Sequence, residues 1–552
     1  MNSPNPALVT RRAAQRLPRL ALLLFCAAYL LPGLFGRDPW KNADITAFGY
    51  MVNIAQGRVP WTNPSIAGLP ADAALLPYWL GAAFVKMLGP FVDPAFAARV
   101  PFALLLALTL ALVWYATYHL ARTEAAQPLP FAFGGEADPI DYARAIADGA
   151  LLALIATLGL LQLGHETTPE LGQLGSVALY LYALAASPFR PRSSRVAVLV
   201  ALPALAASGA PSVALALCIV GVIVCRRSSY DDVRRFSLWV AGAGLLAAAV
   251  ATALEAWAWR LGGGSSTAAW WAPARQLIWF TWPTWPLAGW TLWRWRGHLL
   301  NRHISVPLGI AAVGVAASLA MNGNDRALML ALPALAVLAA FALPTLHRST
   351  SAAIDWFSVF FFSTCALSIW VIYAAMQTGI PARPAANVAR LAPGFKPVFS
   401  LVELVFALLG TLAWLWLVKW RTGRHRHPLW KSLVLPASGV ALCWLLLMTL
   451  WLPLLDHARS YRALIDRLAA HVPRGACLAA PGLPRGQLVA LEYFGRYRVD
   501  AVTPLHRSDC VNALQMEQVD RPRAAPAGWT LVSRERRPTD RDEITVVLRR
   551  AR

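Results

Sequence analysis

Apolar stretches recur along this 552-residue chain from position 17 to position 453, separated by short polar breaks. Many run close to the roughly 20 residues that an α-helix needs to cross the hydrocarbon of a bilayer. The pattern predicts thirteen spans: 17–35, 97–120, 145–163, 171–186, 196–207, 212–225, 236–258, 276–293, 304–321, 327–346, 356–376, 398–419 and 433–452. The fifth and sixth are short. They are joined by Ser208-Gly209-Ala210-Pro211 and could form one broken hairpin. Trp282-Pro283-Thr284-Trp285-Pro286 should kink the eighth, because proline removes a backbone donor. The first stretch could instead be a signal peptide, but no small-residue cleavage site follows it, so an uncleaved helix is expected.

After position 455 the pattern changes to that of an ordinary soluble segment. It predicts an amphipathic helix at 457–470, short strands at 478–480 and 498–502 around a helix near 487–494, and a hairpin of 529–534 with 543–549. The expected fold is an all-α polytopic membrane bundle of about 13 helices (1–455) with a small C-terminal α/β domain (456–552). Composition agrees: 57% of residues are hydrophobic and 14% charged, against about 25% charged in soluble proteins.

The formal net charge of +22 admits nucleic-acid binding or membrane topology as its reason. No basic stretch joins a nucleic-acid motif, so no nucleic-acid partner is expected. Topology accounts for the pattern: with Arg11, Arg12, Arg16 and Arg19 on the cytoplasmic side, alternate loops are basic. The loop 122–144 is the exception, because its acids offset its arginines. The opposite loops, around 164–170, 208–211 and 321–326, are poor in Lys and Arg. An odd number of spans then puts the N-terminus inside and the C-terminal domain outside, periplasmic in a bacterial inner membrane. Five cysteines lie in apolar runs as small packing residues; Cys477 and Cys510 lie in the tail, where a disulfide is expected only if the tail is extracytoplasmic.

Candidate chemistry gathers on the outer face. The loop 36–98 carries Asp38, Asp44, Asp72 and Asp93 with Trp40, Trp61, Tyr78 and Trp79. Loops this long inside a packed fold are rarely idle. Asp44 could cap a helix, or act as a general base beside Trp40 and Trp61. Gly164-His165-Glu166-Thr167-Thr168-Pro169-Glu170 is a second polar island. Its acids and His165 could cap the next helix, pair with Asp44, or hold a divalent cation, since oxygen-ligand sites have no strict spacing. No other cofactor is implied. Asn322-Gly323-Asn324-Asp325-Arg326 opens the tenth span on the same face, and Arg99, Arg260 and Arg275 flank other outer loops. Each arginine could bind a phosphate or simply snorkel to lipid headgroups. His425 and His427 sit in a basic cytoplasmic loop, and 381–396 reads as an extended Pro-rich loop that could cover a ligand.

These residues resemble the C-type glycosyltransferases that use polyprenyl-phosphate sugars, above all the branch of lipid A aminoarabinose transferases and protein O-mannosyltransferases. Four stretches carry the resemblance. They are 39–57 (PWKNADITAFGYMVNIAQG), Trp61-Thr62-Asn63-Pro64 through Gly68 to Pro77-Tyr78-Trp79-Leu80, Ala97-Ala98-Arg99-Val100-Pro101, and Asp325-Arg326 with Leu332-Pro333-Ala334-Leu335. Relatives often have two adjacent acids where this chain has Ala43-Asp44. The resemblance implies transfer of a sugar from a polyprenyl-phosphate donor to a lipid, glycan or protein acceptor, with membrane lipids as the surroundings. It implies Asp44 as the acid that activates the acceptor or holds it for attack, Glu170 or Glu166 as the assisting acid, and Arg99 and Arg326 at the donor phosphate. Trp40, Trp61, Tyr78, Trp79 and His165 would then line the substrate site. The alternative is a transporter or flippase for a lipid-linked or amphipathic solute; a scaffold that kept the fold without catalysis is a third reading. Transporters keep ionisable groups near the bilayer midplane, whereas here the acids sit in outer loops, with Glu255 and Glu403 the nearest exceptions.

Overall fold

The computed structural model describes residues 8–71, 74–131, 134–257, 271–422, 428–520, 524–540 and 542–551. Asp72, Arg260, His425 and His427 lie outside the described residues. The chain is mostly helical. Each of the thirteen apolar windows falls largely on helix, and among the described residues seven helices are long and apolar enough to cross a membrane. The spans Asp325–Thr345 and Leu429–Leu450 form the centre, with 89% of each apolar window buried. Leu401–Arg421 is at the rim, with only 11% buried, which leaves its apolar side chains facing lipid.

Two helices break where they meet. The third window is Pro139–Ala156 followed by Leu158–Leu163, and the eighth is Trp271–Phe280 followed by Thr284–Arg294. The proline pair predicted the second break. The break at Thr157 had no such signal. The Leu158 N–H donates to the Trp282 carbonyl at 3.0 Å, and the Thr157 and Thr284 hydroxyls lie 3.5 Å apart. Each break thus supplies partners that the other exposes, as a backbone in hydrocarbon requires. The segment expected as an extended loop at 381–396 instead contains the helix Ala382–Leu391.

The tail folds as a five-stranded sheet in the order Arg498–Asp500, Cys477–Ala479, Asn512–Gln518, Glu543–Arg550, Trp529–Glu535. The first three strands are parallel and the last two pairings antiparallel. Four of these strands and the helix Arg485–Tyr493 lie near the predicted positions. Asn512–Gln518 was not predicted, because four of its seven residues are Asn, Gln or Glu and only its place between two strands makes it β. The helix expected at 457–470 is two, Leu452–Arg459 and Arg462–Leu468. Ser460 is extended, and its hydroxyl accepts the Arg462 N–H at 3.1 Å, so it starts the second helix. Cys477 and Cys510 are joined in a disulfide.

This tail sits directly on the loop 36–98. That loop contains the helices Ala43–Ala55 and Leu75–Leu88 and a two-residue hairpin at Ser65–Ile66 and Leu69–Pro70. Phe48 meets Tyr493 edge-on at 4.9 Å, and Asn53 donates to Glu492 at 3.2 Å. Gly49 permits the approach: a Cβ there would stand 2.2 Å from Val489 Cγ2.

Candidate functional site

The first loop and the 164–170 turn meet through one carboxylate. Asn42 takes a positive φ of 71° and turns the chain into the helix Ala43–Ala55, placing Asp44 in its first turn. Asp44 is 2% exposed. Its Oδ1 accepts the backbone N–H and the hydroxyl of Thr167, each at 2.8 Å. Its Oδ2 accepts the Trp40 N–H at 3.0 Å and faces Arg37 Nη2 at 3.5 Å. Burial alone would raise this carboxyl. The Arg37 and Arg99 guanidiniums and the Thr167 and Trp40 N–H groups outweigh it and hold the acid below its ordinary value.

Arg37 is the residue that sequence reading passed over. Its side chain is fully buried, stacks on the Trp40 ring at 4.7 Å, and donates to the His165 carbonyl at 2.7 Å. Among the described residues its Nε and Nη1 have no hydrogen-bond partner. The available signal was positional: an arginine beside Asp38 on the face otherwise poor in basic residues. Arg99 holds the same chain reversal, donating to the carbonyls of Arg37 and, at 3.4 Å, Leu34. It also lines a narrow recess of about 10 Å³ with Leu30, Leu34, Phe102, Gly164 and His165.

The second cluster is one arginine between two acids. Arg326 Nη2 lies 2.5 Å from Glu166 Oε2, and its Nη1 lies 3.7 Å from Glu170 Oε2 and 3.2 Å from the Thr168 hydroxyl. Asn324 caps this helix start, accepting the Arg326 and Ala327 N–H groups. Glu166 also accepts from Gln162 at 2.9 Å. Burial raises the Glu166 carboxyl, and the Asp44 charge adds to this; Arg326 offsets only part. Glu170 begins the helix Pro169–Ala186, and among the described residues its Oε2 has no hydrogen-bond partner. It is placed at the helix start as expected, yet it faces Arg326 rather than capping.

His165 is pinned. Nδ1 lies 2.6 Å from the Leu161 carbonyl and Nε2 2.8 Å from the Tyr29 carbonyl, with the ring against Trp444 at 4.6 Å. Burial lowers its pKa to about 4, so it is neutral at pH 7 and donates to one of the two. Trp40 is likewise structural in position: 3% exposed, its ring between Arg37 and Arg459, its Nε1 donating to Asp456 at 2.7 Å. Trp61, Tyr78 and Trp79 make none of these contacts with Asp44 or Arg326 among the described residues. Trp79 Nε1 donates to the Trp61 carbonyl at 2.7 Å, and the Tyr78 ring lies 5.0 Å from that of Tyr50.

The tail supplies further charges that the sequence did not place here. Arg462 grips Asp38 with Nε and Nη2 at 3.0 and 2.6 Å, Ser460 donates to Asp38 at 2.8 Å, and the Lys41 N–H donates to the Arg459 carbonyl at 2.8 Å. Burial and the neighbouring Asp38 raise Asp456 to about 6, against the Trp40 hydrogen bond. Among the described residues, no group of three or more His, Cys, Asp or Glu side chains is placed to hold a metal ion.

No family model and no curated protein sequence matches this chain. Two crystal structures of ArnT from Cupriavidus metallidurans do match, both with a TM-score of 0.63. One, bound to undecaprenyl phosphate, is 15% identical, covering 96% of this chain and 97% of that one. The other, in the apo state, is 14% identical, covering 96% and 98%. At such identity the likeness is one of fold, and along nearly its whole length this chain has the fold of ArnT, the lipid A aminoarabinose transferase among the C-type glycosyltransferases.

Proposed function

We propose that this chain is a glycosyltransferase of a bacterial inner membrane, moving a sugar from a polyprenyl-phosphate donor to a lipid, glycan or protein acceptor at the periplasmic face. The observation that carries the reading is the convergence of two separate turns on Asp44, with the buried guanidiniums of Arg37 and Arg99 beside it and the Arg326 pair on the adjoining turn. An ArnT structure of the same fold was solved with undecaprenyl phosphate bound. The Cys477–Cys510 disulfide supports a tail in an oxidising compartment, hence outside the cytoplasm.

In this reaction an acceptor oxygen bonds to the anomeric carbon. The bond from that carbon to the phosphate oxygen breaks, its electron pair leaving on the polyprenyl phosphate. Where the acceptor is a hydroxyl, its proton passes to a base, and a carboxylate of the outer turns can take it. Asp44, expected as that base from the family resemblance, has four donors on its two oxygens and is held ionised. A filled, low-pKa carboxylate is a poor proton acceptor. We therefore assign Asp44 to positioning and the proton to Glu170, which keeps an oxygen without a hydrogen bond. Arg99, 4% exposed and donating to the Arg37 and Leu34 carbonyls, holds the chain reversal at the first loop and would meet a donor phosphate only where that loop opens. Arg326 is committed to Glu166 and Glu170 and sets their spacing.

The transporter reading draws less support. Asp148, inside a predicted span, is taken up by the Leu17 N–H and Trp114 Nε1, both at 2.8 Å, and Arg302 by Leu184 and Ser187. The test is transfer in purified, reconstituted protein given a polyprenyl-phosphate aminosugar, with released polyprenyl phosphate as the readout. Turnover by the wild type and its loss in Glu170→Gln are expected. A wild type that turns over no polyprenyl-phosphate sugar, while moving such a lipid across sealed vesicles, overturns the reading.

A further inference from the structure

The segment 379–402 joins the helix Arg348–Thr378 to the rim span Leu401–Thr422 and contains Arg383, Arg390 and Lys396 but no acidic residue. All three cations are exposed, and among the described residues none forms an ion pair. In the helix Ala382–Leu391, Arg383, Asn387 and Arg390 share a face by their spacing of four and three residues. Pro384, Val388 and Leu391, each one position further on, share the adjoining face about 100° round the helix. Large apolar side chains flank it: Ile380 is 73% exposed, Leu391 52%, Val398 63% and Phe399 60%. Of these, Val398 and Phe399 lead, past Ser400 alone, into Leu401 and Val402, each 65% exposed at the head of the rim span. The exposed apolar stretch of the second arm therefore adjoins one that must face lipid hydrocarbon.

We propose that this hairpin is a docking shelf for acidic phospholipids of the surrounding leaflet. A basic helix with apolar flanks, lying where two spans leave the hydrocarbon, fits a bilayer surface: the apolar residues enter the acyl boundary and the cations meet headgroup phosphates. A soluble protein partner would leave the apolar edge half in lipid. The shelf also touches the candidate site. His457 Nε2 lies 3.2 Å from the Pro393 carbonyl and its ring 5.6 Å from that of Phe395. His457 follows Asp456, whose carboxylate holds Trp40. A seated acidic lipid therefore braces the short helix Leu452–Arg459 against the first loop.

The experiment uses the full chain in nanodiscs without any sugar donor, so its outcome is independent of the transferase reading. Photoactivatable phosphatidylglycerol and phosphatidylcholine, matched in acyl chain, are cross-linked and the labelled peptides mapped. Cross-linking of phosphatidylglycerol to residues 379–402 is expected to exceed that of phosphatidylcholine several-fold and to fall to the phosphatidylcholine level in the triple variant R383Q/R390Q/K396Q. High salt should weaken it in the wild type. An unchanged thermal midpoint of the triple variant in pure phosphatidylcholine discs controls for folding; if it drops, the single variants K396Q and R390Q are read instead. Equal labelling by the two lipids, no labelling of the hairpin, or full phosphatidylglycerol preference in the variants overturns the proposal.

Discussion

Asp44 Oδ1 accepts both donors of Thr167, the backbone N–H and the side-chain hydroxyl, at 2.8 Å each. One carboxylate oxygen thereby fixes the second turn to the first loop across 123 positions of sequence. Its other oxygen faces a fully buried Arg37. Removing one partner of a buried ion pair leaves the other uncompensated and costs about 3–5 kcal/mol. Asp44→Asn should therefore lower the thermal midpoint in detergent markedly. Thr167→Val, which keeps the N–H bond and loses only the hydroxyl, should cost about 1 kcal/mol. Equal midpoints for wild type and Asp44→Asn would show that the tie carries no weight.

Glu166 and Glu170 share Arg326, yet their variants should separate. Glu166 makes the short contact, 2.5 Å, and accepts from Gln162 as well. Glu166→Gln should lower stability and reduce transfer only as far as the turn loosens. Glu170 stands off at 3.7 Å with an oxygen free of hydrogen bonds. Glu170→Gln should leave the midpoint nearly unchanged and reduce kcat about 100-fold or more with KM little altered. A Glu170→Gln enzyme at full kcat would remove Glu170 from proton transfer.

The apolar windows were legible because hydrocarbon imposes a length and a composition on each helix, and every window proved largely helical. The break at Thr157 was not, since its cause is the Trp282 carbonyl over a hundred residues away. The shelf helix Ala382–Leu391 was masked by Pro381 and Pro384, which read as a loop but sit at a helix start, where a missing N–H does no harm. At the site, the two acidic turns were found from their polarity amid hydrocarbon. Their wiring was not: Asp44 read equally as a helix cap or a general base, because a sequence displays a side chain but not the Thr167 donors that fill it. Arg459 and Arg462 were beyond reach for the same reason, as only the docking of the tail brings them to Trp40 and Asp38.

Asp456 offers a pH test of that docking. Its carboxyl is raised from the ordinary 3.8 to about 6, chiefly by burial. A carboxyl with a higher pKa in the folded state binds its proton more tightly there than when unfolded. Its contribution to stability is thus greatest below about pH 4 and is lost as pH rises through about 6. Asp456→Asn removes this titration. The midpoint deficit of the variant relative to wild type should shrink between about pH 4.5 and about pH 7.5. A deficit that grows over that interval would mean that the carboxylate, not the acid, is the form the fold prefers.

The Cys477–Cys510 disulfide closes a separation of 33 residues, between the strand Cys477–Ala479 and the approach to Asn512–Gln518. By loop entropy such a bridge is worth about 2–4 kcal/mol. Cys477→Ser with Cys510→Ser should therefore loosen the sheet, seen as faster proteolysis of the tail while the bundle stays intact. The same pair reports on orientation. In intact cells of a bacterial expression host with a permeabilised outer membrane, a membrane-impermeant reductant followed by an impermeant maleimide should label the wild type and not the double variant. The cysteines within the bundle, Cys26, Cys218, Cys225, Cys365 and Cys443, are none of them exposed and should stay silent. If labelling required breaking the inner membrane, the tail would lie in the cytoplasm. The two acidic turns would then lie there with it, since Arg462 and Asp456 bind the first loop directly, and a periplasmic acceptor would be out of reach.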